Sequence, residues 1–120
     1  MQKEIYIPEK QYKAIKPAIE YITENFLKDK ISVTELAKLC NISEPYLKKL
    51  FIKKFGVSPI KYIVQLKINY ACDLLKSKRY TILQVAVNCG YSSISFFSRQ
   101  SKEYVGISPT QFIDKYKSSK

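Results

Sequence analysis

The residues of this 120-residue chain best equipped for chemistry are cations. Lys48, Lys49, Lys53 and Lys54 cluster in one short stretch, and Arg99 stands among Ser95, Ser98 and Lys102. Lys and Arg only donate hydrogen bonds, so their chemistry is recognition of acceptor atoms, above all of phosphate and base edges. Arg carries a planar fork that grips two acceptors together, whereas Lys acts as a point charge. Catalytic chemistry is poorly supplied. His is absent, which removes the commonest general base and the commonest metal ligand. Cys40, Cys72 and Cys89 are odd in number, far apart and free of C-x-x-C spacing. They read as small buried hydrophobes rather than as a zinc site or disulfide framework. Neither a Ser-His-Asp nor a Cys-His site can be assembled, so the chain is not expected to be an enzyme. No cofactor and no metal are expected.

The charge balance points to a partner. Lys and Arg number 21 against 10 Asp and Glu, a net charge of +11. Residues 1–35 hold six Lys and six acids and sum to zero, so the whole excess lies in residues 36–120. A charge of one sign confined to one part of a compact chain suits a polyanion, with nucleic acid and an anionic membrane surface both open on charge alone. Hydrophobic residues at 46% and only 3 Gly and 5 Pro describe an ordinary globular composition. No apolar run approaches the roughly 18 residues of a membrane span, and the first residues lack a secretory signal, so the expected compartment is the cytoplasm.

The elements that must position these cations occur twice. Ser32-Val-Thr-Glu-Leu-Ala-Lys-Leu-Cys-Asn-Ile-Ser43 and Thr81-Ile-Leu-Gln-Val-Ala-Val-Asn-Cys-Gly-Tyr-Ser92 align at an offset of 49. After one inserted residue the offset is 50, laying Tyr46-Leu-Lys-Lys49 over Phe96-Phe-Ser-Arg99 and Gly56-Val-Ser-Pro59 over Gly106-Ile-Ser-Pro109. Ser32 with Glu35, and Thr81 with Gln84, have capping-box spacing. A short helix follows in each copy, with Leu36, Leu39 and Cys40, or Val85, Ala86 and Cys89, on its apolar side. It stops at Asn41 or Gly90, residues that tolerate left-handed backbone. Ser43 or Ser92 then caps a second helix, which runs to Gly56 or Gly106. Small Ala37 and Ala86 allow the two helices to cross closely. Each copy therefore reads as a helix-turn-helix.

Flanking segments complete the layout. Tyr12, Ile15, Ala18, Ile19, Ile22 and Phe26 recur at helical spacing from Gln11 to Phe26, with a kink or a late start expected at Pro17. Ile60, Ile63, Val64, Ile68, Ala71, Leu74 and Leu75 mark one unbroken helix between the copies, and Thr110 to Tyr116 form a short last one. The fold class expected is all-α: seven helices, two helix-turn-helix units joined by a long linker helix. The organisation expected is a linker or flexible N-terminus over residues 1–10 and a DNA-binding domain over 11–117. Within it the first helix-turn-helix spans about 32–56, the linker helix about 59–77 and the second helix-turn-helix about 81–106.

The residues now on view resemble the DNA-binding domain of the AraC/XylS transcription regulators. Ser43-Glu-Pro-Tyr-Leu-Lys-Lys-Leu-Phe51 and Gly56-Val-Ser-Pro59 carry the resemblance in the first half. Gly90-Tyr-Ser-Ser-Ile-Ser-Phe-Phe-Ser-Arg99, Lys102 and Gly106-Ile-Ser-Pro109 carry it in the second, which matches the family's signature region more specifically. The resemblance covers roughly residues 8–117. It implies sequence-specific binding of double-stranded DNA and transcription regulation, with two recognition helices in successive major grooves on one DNA face. It places Pro45, Lys48 and Lys49 of the first recognition helix, and Ile94, Ser95, Ser98 and Arg99 of the second, against base edges. Lys53 and Lys102 complete the expected DNA-binding set.

The chain departs from the family pattern at Ile52, where a basic residue is usual, and at Ser101, where an aromatic is usual. The second recognition helix is therefore expected to be held less firmly, by Phe96, Phe97, Tyr104 and Val105. Simpler readings compete with the functional ones. The lysines of the first copy can be a solvated face, and Arg99 can pair with Glu103 one turn away. Most aromatics fall at core spacing, which disfavours a reader of single strands. RNA polymerase and a sensor or effector domain outside this chain are the further partners expected; no membrane partner is expected, and the domain should sit on DNA as a monomer. Two rival functions remain: a basic helical protein-interaction module and a non-specific architectural DNA-binding module.

Overall fold

A computed structural model of the chain describes residues 9–28 and 30–118. Among these residues there are seven α-helices and no strand: α1 (Glu9–Asn25), α2 (Val33–Cys40), α3 (Glu44–Phe55), α4 (Pro59–Ser77), α5 (Ile82–Asn88), α6 (Ile94–Val105) and α7 (Pro109–Ser118). The all-α architecture, with two helix-turn-helix units and a long helix between them in the chain, is the one expected. The N-terminal linker expected over residues 1–10 lies outside the described residues, except that α1 already begins at Glu9. That helix continues through Pro17, which is exposed, so the late start at Pro17 is not found.

The helices gather into two compact units, divided within α4 after Ile63. In the first, α1 packs on α2 and α3. Ile15, Ala18 and Ile22 from α1, Leu36 and Ala37 from α2, and Leu47, Leu50 and Phe51 from α3 are buried. In the second, Val64, Ile68, Ala71 and Leu75 from α4 meet Val85, Ala86 and Cys89 from the α5 region, Tyr91 and Phe97. Each large apolar side chain withdrawn from water contributes about 1.5–3 kcal/mol, so these few residues fix how each helix is turned.

The turn between the paired helices is built the same way in both copies. Asn41 has φ 55° and Gly90 φ 81°, both left-handed. The amide of Ile42 donates to the Ala37 carbonyl at 3.1 Å, and that of Tyr91 to the Ala86 carbonyl at 2.9 Å. Asn41 and Gly90 donate in turn to Lys38 and Val87. These are Schellman closures, which satisfy the carbonyls a helix end leaves over. Ala37 and Ala86 are almost fully buried, as close crossing of the helices requires. Gly56 and Gly106, at φ 78° and 94°, end the second helix of each copy, and their amides donate to Ile52 and Lys102.

Three expectations are corrected here. The cap of α6 is Ser93, whose hydroxyl accepts from the Phe96 amide at 3.1 Å, and not Ser92. Ser93 is the residue that aligns with Ser43 at the offset of 50, so the inserted residue lies inside the turn, ahead of the cap. Leu39 and Ile60, read as apolar-face residues, are 48% and 44% exposed. Finally, Ser101 is not a position without an anchor. It is buried, and its hydroxyl donates to the Ile107 carbonyl at 2.7 Å, tying α6 to the start of the next loop. Of the residues expected to hold that helix, only Phe97 is fully buried, while Phe96 and Val105 are each 38% exposed.

Candidate nucleic-acid interface

In the first unit the candidate site is the outer face of α3. Ser43 starts the helix by accepting from the Tyr46 amide at 3.3 Å, and Pro45 sits in the first turn, where a missing N–H costs nothing. Glu44 accepts from the Thr34 hydroxyl at 2.8 Å, so the beginnings of α2 and α3 are fastened together. Leu47, Leu50 and Phe51 are wholly buried, and Phe55 meets Tyr62 with ring centroids 4.4 Å apart. Anchoring one face exposes the other. Pro45, Lys48 and Lys49 are exposed along it with Ile52 between turns, and Lys53 is half-buried beside them. Lys54 is turned elsewhere, with its ammonium 4.3 Å from the centre of the Tyr12 ring on α1.

In the second unit the corresponding face belongs to α6. Ile94, Ser95, Arg99 and Lys102 are exposed and Ser98 is half-buried, at the three- and four-residue steps that share one side of a helix. The expected residues of each copy thus lie together on that copy's second helix. Arg99 has no carboxylate partner among the described residues. Pairing with Glu103 is not the arrangement observed, since the guanidinium carbon lies 5.6 Å from the Phe96 ring centre. The face carries two cations, two hydroxyls and one apolar side chain, with exposed Glu103 at its edge, one turn from Arg99. It can donate a bidentate pair to guanine, bond phosphate, and touch a thymine methyl.

A layer beneath α6 went unread in the sequence. Tyr91 is 5% exposed and stacks on Phe97 with centroids 5.2 Å apart. Its hydroxyl donates to Gln100 Oε1 on α6 at 2.7 Å. On α4, Lys67 is buried although charged, and its ammonium lies 5.4 Å from the centre of the Tyr91 ring. Burial holds the Tyr91 hydroxyl far above its ordinary range, so it stays a neutral donor. The thiols are correspondingly quiet. Burial pushes Cys89 up to about 11 and raises Cys40 and Cys72 above the usual thiol value. None of the three has the lowered value of a reactive cysteine.

No helix among the described residues is long and apolar enough to cross a membrane. The family model described as a helix-turn-helix domain matches residues 36–115, both copies of the repeat included. The chain belongs to the AraC-type helix-turn-helix family. The HTH-type transcriptional regulator GbdR of Pseudomonas aeruginosa is 38% identical to it over 88 residues, which are 73% of this chain and 24% of that protein. The C-terminal domain of AraT, a response regulator from Geobacillus stearothermophilus, superposes with a TM-score of 0.77 at 26% identity. The match covers 85% of this chain and 84% of that domain. A probable AraC family transcriptional regulator from Rhodopseudomonas palustris gives 0.70 at 25% identity, over 87% of this chain and 97% of that one. The AraC-type chain spans well under half the length of its curated relatives, 38% of LumQ from Photobacterium leiognathi and 24% of GbdR. It is a DNA-binding domain of the transcription-regulator class, and this family is not one of enzymes.

Proposed function

We propose that α3 and α6 are the two recognition helices of this AraC-type domain and that a monomer lays them in successive major grooves on one face of the duplex. In this reading Arg99, Ser95, Ser98 and Ile94 read bases, Pro45, Lys48 and Lys49 meet the second groove, and Lys53 and Lys102 hold phosphates. The observation that carries it is the composition of the α6 face: an unpaired Arg99 beside two short hydroxyls, opposite a side fixed by Phe97 and Ser101. Hydroxyls that short let a guanidinium approach a base edge, which a solubilising face has no need to allow. A basic docking module or a non-specific architectural protein would be served by any cationic surface, without duplicated caps and turns. Sites selected from randomised duplex, then footprinted, test the reading. One protein copy should protect two segments about 34 Å apart on one DNA face, with a bend costing a few kcal/mol. A footprint confined to one segment, or no preference over random DNA, overturns it.

The greater length of LumQ and GbdR supports a sensor or effector domain as a partner of this one. RNA polymerase is the partner through which a bound regulator would act, in the cytoplasm. Co-purification of a tagged full-length gene product with polymerase on promoter DNA tests that reading, and release of polymerase from the bound promoter complex contradicts it.

A further inference from the structure

Phe96 is an aromatic side chain in the first turn of α6 that the core does not swallow. It is 38% exposed, yet it is not loose. Its ring stands edge-on against Tyr91, with centroids 5.4 Å apart and planes at 85°. Tyr91 is itself held from several sides, by Phe97, by its hydrogen bond to Gln100 and by the Lys67 ammonium. On the outer side of Phe96 lies Arg99, three residues on, with its guanidinium carbon 5.6 Å from the ring centre. That is inside the range in which a cation is attracted by an aromatic face. A fixed base, a platform and a cation therefore follow one another from the interior to the surface.

We propose that Phe96 is a positioning residue for DNA recognition: seated on Tyr91, its ring holds the Arg99 guanidinium ready before DNA arrives. The inference rests on the reading that Arg99 contacts a base. An Arg side chain in solvent samples many rotamers and must surrender them when its fork docks, so confinement in the free protein improves binding by lowering that cost. It also favours the one base pair whose acceptors match the waiting fork. In the first copy the equivalent pair is Tyr46 and Lys49, and a rotatable ammonium gains little from such aiming.

The test uses the whole 120-residue chain, the selected duplex, and the same duplex changed at the base pair assigned to Arg99. Arg99→Ala should lower the preference between the two duplexes by about 5- to 150-fold. Phe96→Leu should lower it by about two- to fivefold, while Phe96→Tyr, which keeps the ring, should keep the preference. In the Arg99→Ala background Phe96→Leu should change nothing further. In the free protein the Arg99 δ-protons should be shifted upfield by the ring, and the shift should vanish in Phe96→Leu. Circular dichroism secures the fold of each variant. If Arg99→Ala leaves the preference intact, the base-reading role falls and the platform falls with it. If Arg99→Ala abolishes it but Phe96→Leu does not reduce it, the platform alone is wrong. A further loss in the double variant means that Phe96 touches DNA itself, which also overturns positioning.

Discussion

Ser101 occupies a buried position on α6 and gives its hydroxyl proton to the Ile107 carbonyl, so a short polar residue does there what an apolar anchor would do by volume. Its removal is predicted to matter. Ser101→Ala leaves that carbonyl short of a partner in a poorly solvated spot and should cost about 1–2 kcal/mol in urea unfolding. A loss under about 0.5 kcal/mol would show that the hydroxyl is not an anchor. The cations divide differently. Arg99→Ala should cost about 1–3 kcal/mol on the selected duplex and relax preference at one base pair, because a fork discriminates where a point charge does not. Lys53→Ala should weaken all sequences alike and lower the salt slope by about one unit. Lys54 is the poorer choice for that comparison, since its ammonium already rests on Tyr12. Competition binding against random duplex separates the outcomes. If Arg99→Ala keeps its helicity and preference while a lysine variant in α3 alters base choice, specificity belongs to α3.

The helices start and stop where short-range chemistry dictates. Thr81 and Gln84 complete a reciprocal box: the Gln84 amide donates to the Thr81 hydroxyl at 3.1 Å, and the Thr81 amide to Gln84 Oε1 at 2.9 Å. Thr81→Ala should therefore cost about 1 kcal/mol, read as a lowered denaturation midpoint with unchanged m-value. An unchanged midpoint would mean that water caps α5 equally well. Such caps, with Asn41, Gly90, Gly56 and Gly106, act across three to five residues, which is why the sequence alone reveals both helix-turn-helix units and the candidate faces they present. Ser92 and Ser93 both carry a capping hydroxyl, and only the placement of the inserted turn residue separates them. What sequence could not disclose depends on contacts between distant segments. Lys67 lies 24 residues before Tyr91, and nothing in the spacing of α4 announces a buried lysine at that place. The partner of Ser101 is likewise a loop carbonyl, at Ile107, that no pattern in α6 announces.

For the chain as a whole the governing quantity is charge and its distribution. Residues 36–120, which include both proposed recognition helices and α4, hold the entire +11, while residues 1–35 are balanced. DNA surrounds itself with condensed counterions, and each phosphate neutralised by a Lys or Arg releases some of them. Not every cation can serve, since Lys67 is buried with its ammonium near the Tyr91 ring. If roughly six phosphates are met, log K should fall against log salt with a slope near −5. His, the side chain that ordinarily titrates between pH 6 and 8, is absent, and burial raises all three thiols above their ordinary value. The slope should accordingly be the same at both pH values. Titrations on selected and random duplex at several salt concentrations measure it. Similar slopes on the two duplexes with different intercepts would separate the phosphate contacts from the base contacts on Arg99. A slope near zero would mean that the excess charge serves only solubility, and the proposed faces of α3 and α6 would lose their partner.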